Sequence, residues 1–479
     1  MKENHKRDGN GRYLDGVDTV FTGSNVLRSF DVARGQLGAF SAPSLLEVGA
    51  ERQRLFVANF DGTGNHAGTD TDHITNIGRI AGAIAGSGDS RVAQAYVNGP
   101  GTDGSAPKRL ADNAWGISHD ERVRRMYEMF AEKAEEWLRS DPKADIRVLV
   151  TGFSRGAEEA ASFTRMLHER GVEIETDSGR LRLREGGSIP QAVVLYDPVG
   201  TGHPRAHDRR LPPSVVSGIQ IVAADERRTQ FPSSTIIRRG ISRDGRFLGV
   251  TVPGSHSDVG GSYHTDGLAR ATEALVSDYI NSLTEDGFVS RPELSRLVAD
   301  YDMHKSEQHQ PFYTTGAFER LGTRDTRGAE AHPSHCRLVD DCAPPEPADV
   351  ALLERMGPTH PARWVKHRST LSVAKSPSSR RRYPRMSTMS RRSKPLAPRR
   401  RVLTSGVASW IRRHRGRTTI SPSVRRLKSA TTKSIFRSSH PSGSKGIPPA
   451  PPTPTTATTP STNPSTTSST PSTPRRASP

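Results

Sequence analysis

The chain has 479 residues and a formal net charge of +18, long enough for one large or two moderate domains. The charge is uneven: Arg355 to Pro479 hold 27 of the 69 Lys and Arg and none of the 51 Asp and Glu. Residues 1–354 therefore carry 42 basic against 51 acidic residues, a net of −9, which excludes a nucleic-acid-binding reading of the body.

No window offers the roughly 20 uninterrupted apolar residues that a membrane-spanning helix needs. Met1-Lys2-Glu3-Asn4-His5-Lys6-Arg7 leads into polar, Gly-rich sequence and does not read as a secretory signal peptide. Residues 1–52 read as a loosely structured lead-in. Leu55 to Phe60 is the first buried strand, followed at once by Asp61-Gly62-Thr63-Gly64-Asn65. Ile74, Ile77, Ile80 and Ile84 mark a helix, and Arg91 to Val97 a second strand. His119 to Leu138 is amphipathic, with Val123, Tyr127, Phe130, Ala134, Trp137 and Leu138 on one face. Ile146 to Val150 is a strand that runs into Gly152-Phe153-Ser154-Arg155-Gly156, and Ala157 to Leu167 keep a helical period that Gly171 closes. Ala192–Tyr196, Gly218–Ala224 and Phe247–Val252 are strand-like, and Ala269–Leu283 is helical. Strands alternating with helices predict an α/β fold, a mostly parallel sheet covered on both faces.

The catalytic domain is expected over residues 53–330, with a linker over 331–354. Residues 355–479 read as a disordered, basic, low-complexity tail, ending in an almost pure Pro, Thr and Ser stretch from 448. An acid-free run of this kind also has the composition of a GC-rich gene read out of frame. Cys336 and Cys342, with His332 and His335, fit no standard structural zinc spacing and read as loop thiols. No metal or cofactor is expected.

Chance alone can supply one Gly-x-Ser-x-Gly in a chain this rich in Gly and Ser. Its position between a strand and a helix is what points to a nucleophile elbow at Ser154. Glycines two before and two after the serine are needed because side chains there would strike the neighbouring strand and helix. A serine needs a histidine to take its proton and a carboxylate to orient that histidine. Asp197 ends one strand, and His256 follows another, in Gly254-Ser255-His256-Ser257-Asp258. Asp225, at the next strand end, competes for the acid, and spacing favours neither. His304 competes as base but lies past the sheet. Oxyanion donors are expected from the amide of Arg155 and from Gly62 or Thr63 in the glycine loop. That loop lacks the Gly-Lys-Ser/Thr ending of a phosphate-binding turn, which argues against nucleotide.

Several motifs together, in this order, resemble the bacterial type VI secretion lipase effectors (Tle-type phospholipases), within a wider α/β-hydrolase-like family. They are Phe60-Asp61-Gly62-Thr63-Gly64-Asn65, Thr75-Asn76-Ile77, Gly152-Phe153-Ser154-Arg155-Gly156-Ala157, Tyr196-Asp197-Pro198-Val199-Gly200, Asp225-Glu226-Arg227-Arg228 and Pro253-Gly254-Ser255-His256-Ser257-Asp258. The resemblance covers roughly residues 54–285 and implies a Ser-Asp-His triad on Ser154, Asp197 and His256. It favours Asp197 over Asp225 by analogy. Two departures stand out: Pro198 where the family usually has Thr, and Gln220 in place of a histidine. The resemblance further implies an antibacterial enzyme that cleaves acyl esters of membrane glycerophospholipids through an acyl-serine. It would be made in the bacterial cytoplasm, exported by a dedicated machine, and partnered by secretion-apparatus and immunity proteins. In that setting each basic tail residue near an anionic bilayer would add about 1 kcal/mol of attraction. Two rivals remain: an esterase for soluble or cell-wall esters, and a non-catalytic protein whose tail binds membrane or nucleic acid without sequence specificity.

Overall fold

Along the strand Gln53–Phe60 (β1), side chains alternate between two apolar layers. Leu55 and Val57 enter one core, Phe56, Ala58 and Phe60 the other. A strand buried on both faces belongs inside a parallel sheet with helices above and below. The computed structural model describes residues 15–202, 207–228, 230–309 and 345–361, all within the first of the two units into which the chain divides, residues 1–381.

The central sheet continues with Val92–Val97 (β2), Asp145–Phe153 (β3), Gln191–Tyr196 (β4), Val215–Ala223 (β5), Gly240–Ile241 (β6) and Phe247–Val252 (β7). Its order is β6-β7-β5-β4-β3-β1-β2, parallel throughout except for the β6–β7 pair. One face is covered by Ser24–Gly38 (α1), Asn76–Ala85 (α2) and Gly267–Ser282 (α7). The other is covered by His119–Ser140 (α4) and Arg155–Arg170 (α5). Ala106–Trp115 (α3) stands before α4, and the short His256–Gly260 (α6) lies between β7 and α7. The fold class expected from the alternation is the one observed. No helix among the described residues is long and apolar enough to cross a membrane.

Order reverses between β1 and β3, the switch point where open α/β sheets open a crevice at the carboxyl ends of their strands. Register brings those ends level: Phe60 pairs with Gly152, Phe153 with Tyr196, Tyr196 with Ile221 and Ala223 with Val252. The loops after these five strands, β1, β3, β4, β5 and β7, therefore emerge side by side.

Two regions differ from the sequence reading. The lead-in contains α1, whose Val26, Phe30, Ala33 and Leu37 are buried at helical spacing. Residues 345–361, read as linker end and tail start, pack on the body. Leu352 and Met356 of Val350–Met356 (α8) are buried in the core, and Thr359–Pro361 pairs antiparallel with Ser41–Pro43. Cys336 and Cys342 of the expected linker, and the expected tail beyond residue 361, lie outside the described residues.

Candidate active site

β3 delivers the chain into a turn that no ordinary residue adopts without cost. Ser154 has φ 60° and ψ −128°, a conformation costing a non-glycine residue about 1–3 kcal/mol and usually retained at functional sites. A Cβ on Gly152 would lie 2.4 Å from the Gly156 carbonyl, and one on Gly156 would lie 2.4 Å from the Asp61 carbonyl. Both positions are therefore closed to any side chain. The Ser154 amide donates to the Tyr196 carbonyl at 3.0 Å, and its own carbonyl accepts from Val199 at 3.3 Å. These bonds stitch the elbow to the loop that carries Asp197.

Asp197 is fully buried with φ 39°. Its amide donates to Ile221, and its Oδ1 accepts the Ala223 amide at 3.0 Å. Oδ2 is left facing His256 Nδ1 at 2.6 Å, so Nδ1 carries the proton and Nε2 presents its lone pair. The imidazole stacks on Phe153 at 4.5 Å and meets the edge of Phe231 at 5.1 Å. Phe153 is the residue immediately before Ser154, so this stacking joins the elbow to the histidine. A Cβ on Gly260 would sit 2.1 Å from the Phe153 ring, and one on Gly62 would sit 2.5 Å from it. Burial lowers the His256 pKa, with Asp197 opposing. The ring is thus held neutral, ready to accept a proton.

Glu226, also buried, accepts the His256 amide at 3.1 Å and the Ser306 hydroxyl at 3.0 Å, and pairs with the Arg228 guanidinium. It fixes the start of α6. Sequence reasoning gave it no role, although it lies in the quoted Asp225-Glu226-Arg227-Arg228 motif.

The two competitors are placed elsewhere. Asp225 turns its carboxylate to the Gly254 amide at 2.9 Å, where burial raises its pKa, and it braces the turn before α6. His304 is held through Nδ1 by Asp258 at 2.5 Å and through Nε2 by Asp15 at 3.2 Å, and Tyr263 stacks on its ring. Burial opposes its charge, but the two carboxylates outweigh burial and hold its pKa at about 9. An imidazolium with both nitrogens engaged offers no lone pair. Its work is to hold Asp258, the capping-box residue of α6.

The glycine loop is built around Asp61. Burial pushes this carboxyl up to about 6, against hydrogen bonds from Tyr96, Thr75 and Gly62. The Gly62 amide, expected to face the oxyanion, instead donates to Asp61 Oδ1 at 2.7 Å. Asn65 ties down the carbonyls of Gly62 and Thr63 at 3.0 and 3.2 Å. Of the two loop amides considered, that of Gly62 is thus engaged within the loop. Arg155 opens α5, where first-turn amides have no intrahelical acceptor. The Arg155 guanidinium turns away to hold the carbonyls of Asp112 at 2.8 Å and Asn113 at 2.5 Å, at the end of α3.

A buried imidazole held by a carboxylate, and a strained serine that follows directly in the chain on the ring stacked against that imidazole, make up the candidate site. Residues 54–183 match the type VI secretion phospholipase effector Tle1-like catalytic domain. The Tle1-like region includes β1 and its glycine loop, β3, the elbow and α5; Asp197 and His256 lie beyond it. No curated protein matches the chain. Among solved structures, the chain is similar to an uncharacterized protein from Pseudomonas aeruginosa (19% identity, 60% of this chain and 53% of that one, TM-score 0.36). It is also similar to a Tle1 effector solved bound to the VgrG spike of the type VI secretion system (22% identity, 46% and 52% covered, TM-score 0.31). A third is the RedJ thioesterase of Streptomyces coelicolor (15% identity, 48% and 93% covered, TM-score 0.22). The chain spans about half the length of the first two.

Proposed function

We propose that this protein is a serine phospholipase that hydrolyses acyl esters of membrane glycerophospholipids. The observation that carries the reading is the His256 Nδ1–Asp197 Oδ2 contact of 2.6 Å, behind an imidazole stacked on the residue that precedes the strained Ser154. The Tle1-like match over residues 54–183 supports phospholipid as the substrate class.

In this mechanism His256 Nε2 takes the Ser154 hydroxyl proton as Oγ attacks the ester carbonyl. Asp197 holds the imidazole's orientation and stabilises the imidazolium that forms. The amides of Arg155 and Thr63 meet the developing oxyanion, a contribution typically worth about 2.7–4 kcal/mol per donor. His256 returns the proton to the departing lysophospholipid alkoxide. A water, deprotonated by the same nitrogen, then releases the fatty acid from the acyl-serine.

The family description further supports delivery by type VI secretion. A VgrG spike is the proposed apparatus partner, and a cognate immunity protein together with an antibacterial role belong to the same proposal. The decisive assay is fatty-acid release from phospholipid vesicles. Ser154→Ala is expected to abolish it, and labelling by a fluorophosphonate probe, while leaving the thermal unfolding midpoint in place. Undiminished release by the folded variant overturns the assignment.

A further inference from the structure

Helix α3 and the turn after it place apolar side chains in water at the edge of the site. Leu110 is 69% exposed, Trp115 61% and Ile117 48%. Single exposed apolar residues are common, but a Leu, a Trp and an Ile between residues 110 and 117 concentrate exposed apolar surface on one short segment. The segment is fastened at its far end and on its inner side. The buried Asp112 carboxylate accepts the amides of Gly101 and Ser118 and the Ser118 hydroxyl at 2.6–2.9 Å. The outer surface, Ala106 to Leu110, is exposed throughout.

Two contacts tie this patch to the chemistry. The Arg155 guanidinium, one residue from Ser154, holds the last carbonyls of α3. The Trp115 carbonyl lies 2.3 Å from where a Cβ on Gly202 would stand, in the loop that follows Asp197. The segment thus lies against both the residue after Ser154 and the loop after Asp197. Lys108 and Arg109 directly precede Leu110. Lys108 makes only an exposed pair with Glu121 at 3.3 Å, while Arg109 reaches the Gly104 carbonyl at 2.7 Å. Exposed pairs of this kind are worth about 0–1 kcal/mol, so the lysine is readily exchanged to another anion.

Trp beside aliphatic residues, edged by cations, suits the boundary between lipid head groups and acyl chains. The scissile ester of a glycerophospholipid lies at that depth. We infer that α3 and its following turn form the bilayer-docking surface of this enzyme. Leu110, Trp115 and Ile117 enter the headgroup–acyl boundary, and Lys108 and Arg109 lie among lipid phosphates. The inference rests on the phospholipase reading for its substrate, but the docking itself can be measured without catalysis.

The test uses the full chain carrying Ser154→Ala, so that binding is read without hydrolysis. Vesicles of phosphatidylethanolamine and phosphatidylglycerol are sedimented at high salt, which screens the basic tail's attraction for anionic lipid. Replacing Leu110, Trp115 and Ile117 together by Gln is expected to lower vesicle partitioning by at least about tenfold. In the Ser154 enzyme the same triple change should lower vesicle hydrolysis by a similar factor and leave short-chain soluble ester hydrolysis within about twofold. Unchanged partitioning overturns the inference, as does an equal loss on both substrates. A triple variant that turns a dimer into a monomer with vesicle binding intact also overturns it, and makes the patch a self-association face. Surface-dependent vesicle binding by an enzyme that hydrolyses only soluble esters would instead sink the phospholipase reading and leave the docking surface standing.

Discussion

His256 sits where burial and a carboxylate act on it in opposite directions, and burial prevails. Its protonated form is lost below the ordinary histidine range of about 6.5, so the free enzyme keeps a competent base into mildly acidic solution. The expectation is a kcat/KM for a soluble ester that is flat at neutral pH and falls along an acid limb centred below about 6.5. A limb centred above that value would contradict a buried neutral imidazole as base. Asp197→Asn removes the acceptor that fixes the Nδ1 proton and should cost on the order of a thousandfold or more in kcat. Asp225→Asn, which touches the Gly254 amide instead, should stay within about tenfold; kcat values of the two variants decide. Spacing could not separate these two aspartates, because both end neighbouring parallel strands; only the family resemblance favoured Asp197. What separates them is a backbone detail: φ 39° at Asp197 and an amide from Ala223 that turns its second oxygen toward the histidine. Phe153 was equally illegible, since the motif leaves its position open. Its ring nevertheless occupies the space that forces glycine at both 62 and 260. Gly260→Ala is expected to displace the ring, at about 1–3 kcal/mol of stability together with lost activity, read by thermal unfolding and ester turnover.

At the scale of elements, the base stands or falls with α6, a helix of five residues too short to be stable by itself. Tertiary bonds hold it: Glu226 on the His256 amide, and Asp258 at the capping box, clamped by His304, which Asp15 clamps in turn. His304 has its pKa raised to about 9, so its contribution is fully present below about 6.5 and is lost as pH rises through 9. Asp15 is held at about 2, burial notwithstanding, so its contribution is present above about 4 and is lost as pH falls through 2. The wild type should lose about 2–3 kcal/mol more than His304→Gln between pH 6.5 and pH 9.5. Denaturant midpoints of both proteins across that range check the difference; parallel curves would remove the charged clamp. The long strands of the sheet and the helices α2, α4, α5 and α7 were legible because their apolar periods are long. Thr19–Val20 and Met303–His304, a pair of two-residue strands, carry no period at all. α1 escaped for another reason: Val26, Phe30, Ala33 and Leu37 have helical spacing, but polar residues dilute them and Gly23 provides no capping side chain.

For the whole molecule, composition drew the boundary between body and tail at about residue 355, where acidic residues stop. The described residues carry packing past that point. Glu346 accepts from Arg165 at 2.8 Å, and its carbonyl accepts from Arg246 at 2.6 Å. Leu352 and Met356 fill the core, and Thr359–Pro361 extends a strand pair with Ser41–Pro43. A change in charge composition reports solvation, whereas these residues are held by a few apolar and backbone contacts that composition cannot register. Two truncations separate the criteria. Ending the chain after residue 361 keeps every contact just described, and should leave the unfolding midpoint and soluble ester turnover unchanged. Ending it after residue 344 removes two buried apolar side chains and a strand pairing, at a cost of several kcal/mol, since each Leu or Met lost from a core costs about 2–5 kcal/mol. The cut after residue 361 should also shift vesicle binding in a defined way. Without the acid-free run beyond residue 361, the net charge of what remains is close to that of the acidic body, and electrostatic attraction to anionic lipid should fall to the small contribution of Lys108 and Arg109. Binding by residues 1–361 should then depend only weakly on salt, while the full chain binds more tightly at low salt and approaches the truncated protein as salt rises. Sedimentation of both proteins across a salt series measures this directly. Salt dependence as steep after the cut as before it would place the main lipid-attracting charge in the body and not in the tail.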